Sequence, residues 1–257
     1  MDFRLQNLKR LYMSGDYDAG HELLRGLVRS GALNPRHIRL AAAYGHGLCE
    51  DYLGYEPDVI AEIPMRSGMI TTWPCRAYIR IALASARCAF EMVEEVIGLD
   101  INIHTGSTYY HPSSHYNVRQ VLDNGLYFIE TFLSSEDRPW SSEMKEKLLY
   151  PMSRHVGYLR DLEESYYGLD NHQILSHITK AVTRAVLSVG TACSFPTHVS
   201  SDIEASITHA TLAMTQCEAE LAGVVEMPYI PSREILKRLH LCTGEAMIPW
   251  LLQPFPV

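Results

Sequence analysis

The sequence predicts an all-α protein, built as a helical bundle or a short α-solenoid of stacked antiparallel helices. Apolar residues recur every three or four positions through nearly the whole chain, while the sustained alternation of a strand hardly appears. Glycine turns and helix-start signals punctuate these segments. With 257 residues, 47% of them hydrophobic and 20% charged, the chain is long enough and apolar enough to bury a substantial core.

The first helix carries Phe3, Leu5, Leu8 and Leu11 and breaks at Ser14-Gly15-Asp16. A second places Ala19, Leu23, Leu24, Leu27 and Val28 on one face and stops at Ser30-Gly31. Asn34-Pro35 then opens a third, because an Asn side chain caps free amides and Pro at the first helical position loses no hydrogen bond. That helix is expected to bury Ile38, Ala41, Ala42 and Leu48. Short helices of this kind cannot hide their apolar faces singly and must stack. The turn Gly54-Tyr55-Glu56-Pro57 suggests a boundary, with an N-terminal module over 1–56 and a larger helical domain over 57–257, or one continuous domain.

After Pro74 a long helix presents Ile79, Ala82, Leu83, Ala86, Ala89, Phe90, Val93 and Ile97 as one broad face, and its alanines imply close packing. Leu99 to Asn117 is polar and reads as a long loop. Beyond it, Val118, Leu122, Leu126, Ile129 and Leu133 keep helical register. Ser141-Ser142 opens a helix in which Pro151 predicts a kink or a division. Ile174, Ile178, Ala181, Ala185 and Val189 mark the next, and another begins at Asp202 with Ile203, Ile207, Ala210, Met214, Cys217 and Leu221. The last follows Pro231-Ser232, leaving an apolar tail over Ile248 to Leu252.

Composition narrows the function. Formal charge is −8, from 22 basic and 30 acidic residues, which argues against nucleic-acid binding, since phosphate contacts need clustered Lys and Arg. That acidity suits a basic protein partner through electrostatic steering, although it is first of all ordinary for a cytosolic protein. No apolar run reaches the roughly 18 residues of a membrane helix, and Met1 to Arg4 lacks the apolar stretch of a signal peptide, so a cytoplasmic protein is expected. None of the six cysteines sits at C-x-x-C spacing, so reduced structural thiols are expected.

Each candidate chemistry meets a plainer reading. His111 and His115 are four apart, yet Pro112 and two serines follow His111, and no Cys, Asp or Glu between them completes a metal ligand set. Cys193, His198 and Asp202 invite a thiol-imidazole reading, but such groups are assembled from distant segments, and His198 reads better as a residue capping or bridging two helices. Nucleotide-binding motifs are absent. His177 and the pair Glu163-Glu164 lack the metalloprotease pattern and read as a polar helix face. No cofactor and no catalytic residue is expected. Aromatics carry a different signal, because Tyr and Trp dominate binding hot spots: Tyr109-Tyr110, Tyr116, Trp140 and Tyr166-Tyr167 lie in or beside expected loops. Tyr109, Tyr110, His111, His115 and Tyr116 therefore form the expected partner-binding surface, on a loop longer than the roughly 4 to 6 residues usual between packed helices.

Ser30 to Gly45 resembles a short helical module that accompanies repeats in large bacterial proteins. The Ala-rich helix Ile81 to Ala89, the opening Val118-Arg119-Gln120-Val121-Leu122 and the segment Phe195-Pro196-Thr197-His198 resemble a family of immunity proteins from bacterial polymorphic toxin systems, the fifth-numbered immunity family and its relatives. The family's acidic turn and Arg-Pro are not preserved, and only Arg119 corresponds, with His198 as a second family-like structural position. The resemblance implies an all-α, non-catalytic protein that occupies and blocks a cognate toxin. The alternatives are a helical adaptor without a toxin partner and an enzyme with an unrecognised site.

Overall fold

The computed structural model describes residues 3–54, 75–105, 114–134, 142–194, 199–224 and 230–256. Among them 80% are helical, in ten helices with one two-stranded sheet, so the all-α expectation holds. No described helix is long and apolar enough to cross a membrane. The chain divides into two compact units, Met1–Met65 with His240–Val257, and Arg66–Leu239.

In the first unit, α1 (Phe3–Met13) buries no residue fully and leaves Phe3 exposed. Its Leu5 and Tyr12 lie over Gly26 and Gly20 of α2 (Tyr17–Arg29), so closely that a Cβ at either glycine would collide with them. Asp16 caps α2 by accepting from the Ala19 amide at 3.0 Å. Asn34 caps α3 (Pro35–Ala43) in the same way through the Arg36 amide at 2.9 Å. The expected single helix through Leu48 is in fact two: Gly45 takes φ +83°, a left-handed turn that ends α3, and α4 (Gly47–Leu53) buries Leu48 and Cys49. The segment from His240 joins this unit through Tyr44–His240 stacking at 5.2 Å, Tyr12–Phe255 at 5.0 Å and a bond of 3.0 Å between His37 Nδ1 and the Leu251 carbonyl.

The second unit comprises α5 (Cys75–Ile97), β1 (Asn102–Thr105), β2 (Ser114–Asn117), α6 (Val118–Ser134), α7 (Ser142–Glu164), α8 (His172–Ser194), α9 (Val199–Leu221) and the start of α10 (Arg233–Leu251). Helix α8 sits at the centre, packed by α5, α6, α7 and α9. Both α8 and α9 bury small residues, Ala181 and Ala185 on the first and Ala210 and Ala213 on the second, and Ser206 of α9 donates to the Ala181 carbonyl at 2.8 Å. Small side chains let two backbones approach, and the hydroxyl is satisfied by the neighbouring helix instead of by water.

Of the two outcomes expected at Pro151, a division does not occur: helix α7 runs through it. Two boundaries differ from the sequence reading, since α9 begins at Val199 with Asp202 in its first turn, and α10 continues through Pro249 to Leu251, so the apolar tail is largely helical. Ser232 starts α10 by accepting from the Ile235 amide at 3.2 Å.

Candidate functional site

Two regions of the second unit gather polar side chains. The first is the stretch expected to be a loop, whose ends instead pair as an antiparallel hairpin in the register Asn102↔Asn117, Ile103↔Tyr116, His104↔His115 and Thr105↔Ser114. Strand side chains alternate between faces, so this register sorts the residues. Ile103 and Tyr116 are buried on one face, with the Tyr116 ring 5.8 Å from that of Tyr158 and its hydroxyl 3.5 Å from Asp161 Oδ2 on α7. His104 and His115 are exposed on the other, their rings stacked at 4.4 Å and 18°.

The hairpin base is tied to both flanking helices. Asn117 caps α6 through the Gln120 amide at 3.0 Å while its Nδ2 donates to Asp100 Oδ1 at 2.6 Å. The Val118 and Arg119 amides donate to the carbonyls of Ile101 and Leu99 at 2.9 and 3.0 Å. Glu94, near the end of α5, accepts from the Leu99 amide at 2.7 Å and from Arg119 Nη1 at 2.8 Å. Arg119 is thereby a structural residue: it clamps the hairpin's exit to the helix that leads into it.

The second region lies on α7, α8 and α9. His177 and His209 face each other with Nδ1 atoms 3.1 Å apart and rings stacked at 5.4 Å. One Nδ1 must donate to the other, so the accepting imidazole carries its proton on Nε2. Burial first, then the neighbouring His209 and Lys180, pushes the His177 pKa down to about 4. Burial, with Lys180 and Arg184, also lowers His209, and Glu163 opposes the shift. The pair is therefore uncharged at neutral pH. Beside it opens a cleft of about 180 Å³ whose walls are the polar Arg160, Glu163, Lys180, Thr183, Arg184 and His209 with the apolar Leu187. Lys180 Nζ is 3.1 Å from Glu163 Oε1, and Arg184 leans on Asp202 at 3.3 Å.

Of the residues singled out in the sequence, His115, Tyr116 and Arg119 come together at the hairpin, whereas Tyr109, Tyr110, His111, Trp140 and His198 lie outside the described residues. Asp202 is held by Thr191 Oγ1 at 2.7 Å and by Arg184, a helix-to-helix tie. Tyr166 is buried and shares a 2.7 Å hydrogen bond with Thr179 Oγ1, while Tyr167 is fully exposed. Cys49 and Cys217 are buried, and burial pushes both thiols up to about 12, which makes them inert packing groups. Among the described residues no three His, Cys, Asp or Glu side chains gather as a metal site.

Sequence reading missed the cleft. Its signal was present as same-face charges three or four apart, Arg160 with Glu163 on α7 and Lys180 with Arg184 on α8, and it resembled any solvated face until a third helix placed His209 beside them. A scan of protein-family models, a search of curated proteins and a search of solved structures each return no match to this chain.

Proposed function

We propose that the chain is a non-catalytic binding protein of the immunity type, which neutralises a cognate bacterial toxin in the cytoplasm by occupying it. The observation that carries the reading is the hairpin stem. One face is locked into the helices by Ile103 and Tyr116, and the other presents two stacked, exposed imidazoles on strands that lead into the segment bearing Tyr109, Tyr110 and His111. Tyrosine side chains offer large contact area at low conformational-entropy cost, the property that makes Tyr-rich segments effective hot spots. The charge of −8 favours a basic partner through faster encounter.

The test is co-expression with the product of each reading frame that adjoins this chain's own, reading growth and complex formation. Rescue of growth and a complex that survives purification are expected. The Tyr109→Ala, Tyr110→Ala double variant should lose about 2 kcal/mol or more of binding while keeping its helical spectrum. Unchanged affinity in that variant removes the hairpin from the interface, and absence of both rescue and complex removes the toxin as partner. A helical adaptor is the second reading, favoured by the tyrosines Tyr127 and Tyr150, which α6 and α7 expose to 68% and 75%.

A further inference from the structure

The cleft on α7, α8 and α9 reverses the sign of the molecule around it. Three permanent cations, Arg160, Lys180 and Arg184, face it against the one lining carboxylate of Glu163, in a chain of charge −8. Glu163 is already engaged by Lys180 at 3.1 Å, and Arg184 by Asp202 at 3.3 Å, an acid that does not line the cleft. Arg160 is exposed and makes no ion pair among the described residues. An arginine left over in such a set is a ready donor to a carboxylate or phosphate, which its planar fork grips with two parallel hydrogen bonds.

A second hollow of about 260 Å³, lined by Met152, Ser153, Val156 and Gly157 of α7, adjoins the cleft. The two hollows share Arg160 and Leu187, so a charged half and an apolar half meet at one arginine and one leucine. A concave site with mostly apolar walls and a few convergent polar groups is the form that small-molecule sites take.

We propose that this joined cleft binds a small amphiphilic anion, its carboxylate or phosphate head held by Arg160 with Lys180 and Arg184, its short apolar chain lying over Met152, Val156 and Leu187. An inorganic anion would leave the apolar half unused, and a neutral amphiphile would leave Arg160 without an anionic partner. The head group needs only a singly charged, planar or tetrahedral oxyanion, so alkyl carboxylates and alkyl phosphates share the chemistry. This inference does not depend on the toxin-binding reading.

The full chain is titrated calorimetrically with butanoate, hexanoate and octanoate, with octyl phosphate, and with inorganic phosphate and octanol as the head-only and tail-only probes, all below micellar concentration. One saturable site is expected, with affinity rising by up to about fourfold for each methylene buried and levelling when the hollow is full. Octyl phosphate competing with octanoate for one site would show that the two heads share it. Inorganic phosphate and octanol should each bind at least tenfold more weakly than the amphiphiles. Arg160→Ala, at an exposed position with no ion pair to break, should weaken octanoate at least tenfold with an unchanged melting temperature, and Leu187→Gln should erase the dependence on chain length while sparing the weak phosphate binding. Equal binding of inorganic phosphate and octyl phosphate would reduce the site to an anion subsite and overturn the amphiphile. Binding unaffected by Arg160→Ala, or no saturable binding by any probe, would overturn the site altogether.

Discussion

Two histidine pairs stack in the second unit, and they differ in what built them. His104 and His115 meet because strand register places them opposite each other, and they stay exposed. His177 and His209 meet because α8 packs on α9, 32 residues apart in sequence, and the packing half-buries both and holds them uncharged. The same contact between two rings is a presented surface in one place and a component of the interior in the other. What separates them is how much of the surrounding fold each pair depends on.

The largest contrast should come from loosening the packing beneath the second pair. Ile178 is fully buried on α8 next to His177, and Ile178→Ala removes its side chain from a core that relaxes only in part, at a cost of about 2 to 5 kcal/mol. Urea unfolding should show a lower midpoint with an unchanged slope; a changed slope would mean that the unfolding transition itself had altered.

Acid should then separate the pairs. The folded pKa of His177, at about 4, lies below the 6.5 of an unperturbed imidazole, so above pH 6.5 folded and unfolded chains are both neutral there and its contribution to stability is complete. Between pH 6.5 and 4 the unfolded chain takes up a proton that the folded chain refuses, and stability falls as pH falls. Lys180 and Arg184 add to the refusal at the pair, while Glu163 works against it. His46, His155 and His240 are lowered by burial as well, so the informative quantity is the difference between variants. His177→Gln should flatten the stability curve in that window relative to the parent chain; parallel curves for the two proteins would contradict the buried, neutral pair.

The hairpin should respond less. Tyr116→Phe keeps the buried ring and removes a hydroxyl that reaches Asp161 at 3.5 Å, with an expected loss of about 0.5 to 1.5 kcal/mol. The smallest effect belongs to the exposed pair itself. His104→Ala removes one cross-strand stacking partner, worth about 0.2 to 1 kcal/mol, and should leave the melting curve almost in place. A large destabilisation there would mean that the imidazoles support the fold, and would weaken their reading as a presented surface.

Local physics explains what was legible before the structure. A helix is written in residues three and four apart, and caps in residues two and three apart, so Asn34, Ser30-Gly31 and the apolar stripes of α2, α5, α6 and α8 could be read directly. The hairpin escaped because its strands are four residues each, too short for alternation to stand out, and their pairing joins residues up to 15 positions apart, Asn102 with Asn117. Arg119 was singled out through a resemblance, but its partner Glu94 lies 25 positions earlier, and nothing in the spacing pointed to it.

By itself the sequence determined the helical class, the approximate run of most helices and the acidic balance of the chain, because each depends on neighbours in sequence or on simple totals. Tertiary structure alone decided that α10 leaves the second unit to close the first from His240 onward, that His177 faces His209, and that Arg160 stands beside Lys180 and Arg184 above an apolar hollow. Such meetings are set by which helix faces bury against one another. That choice minimises the exposed apolar area of the whole chain at once, and no stretch short enough to read as a motif contains it.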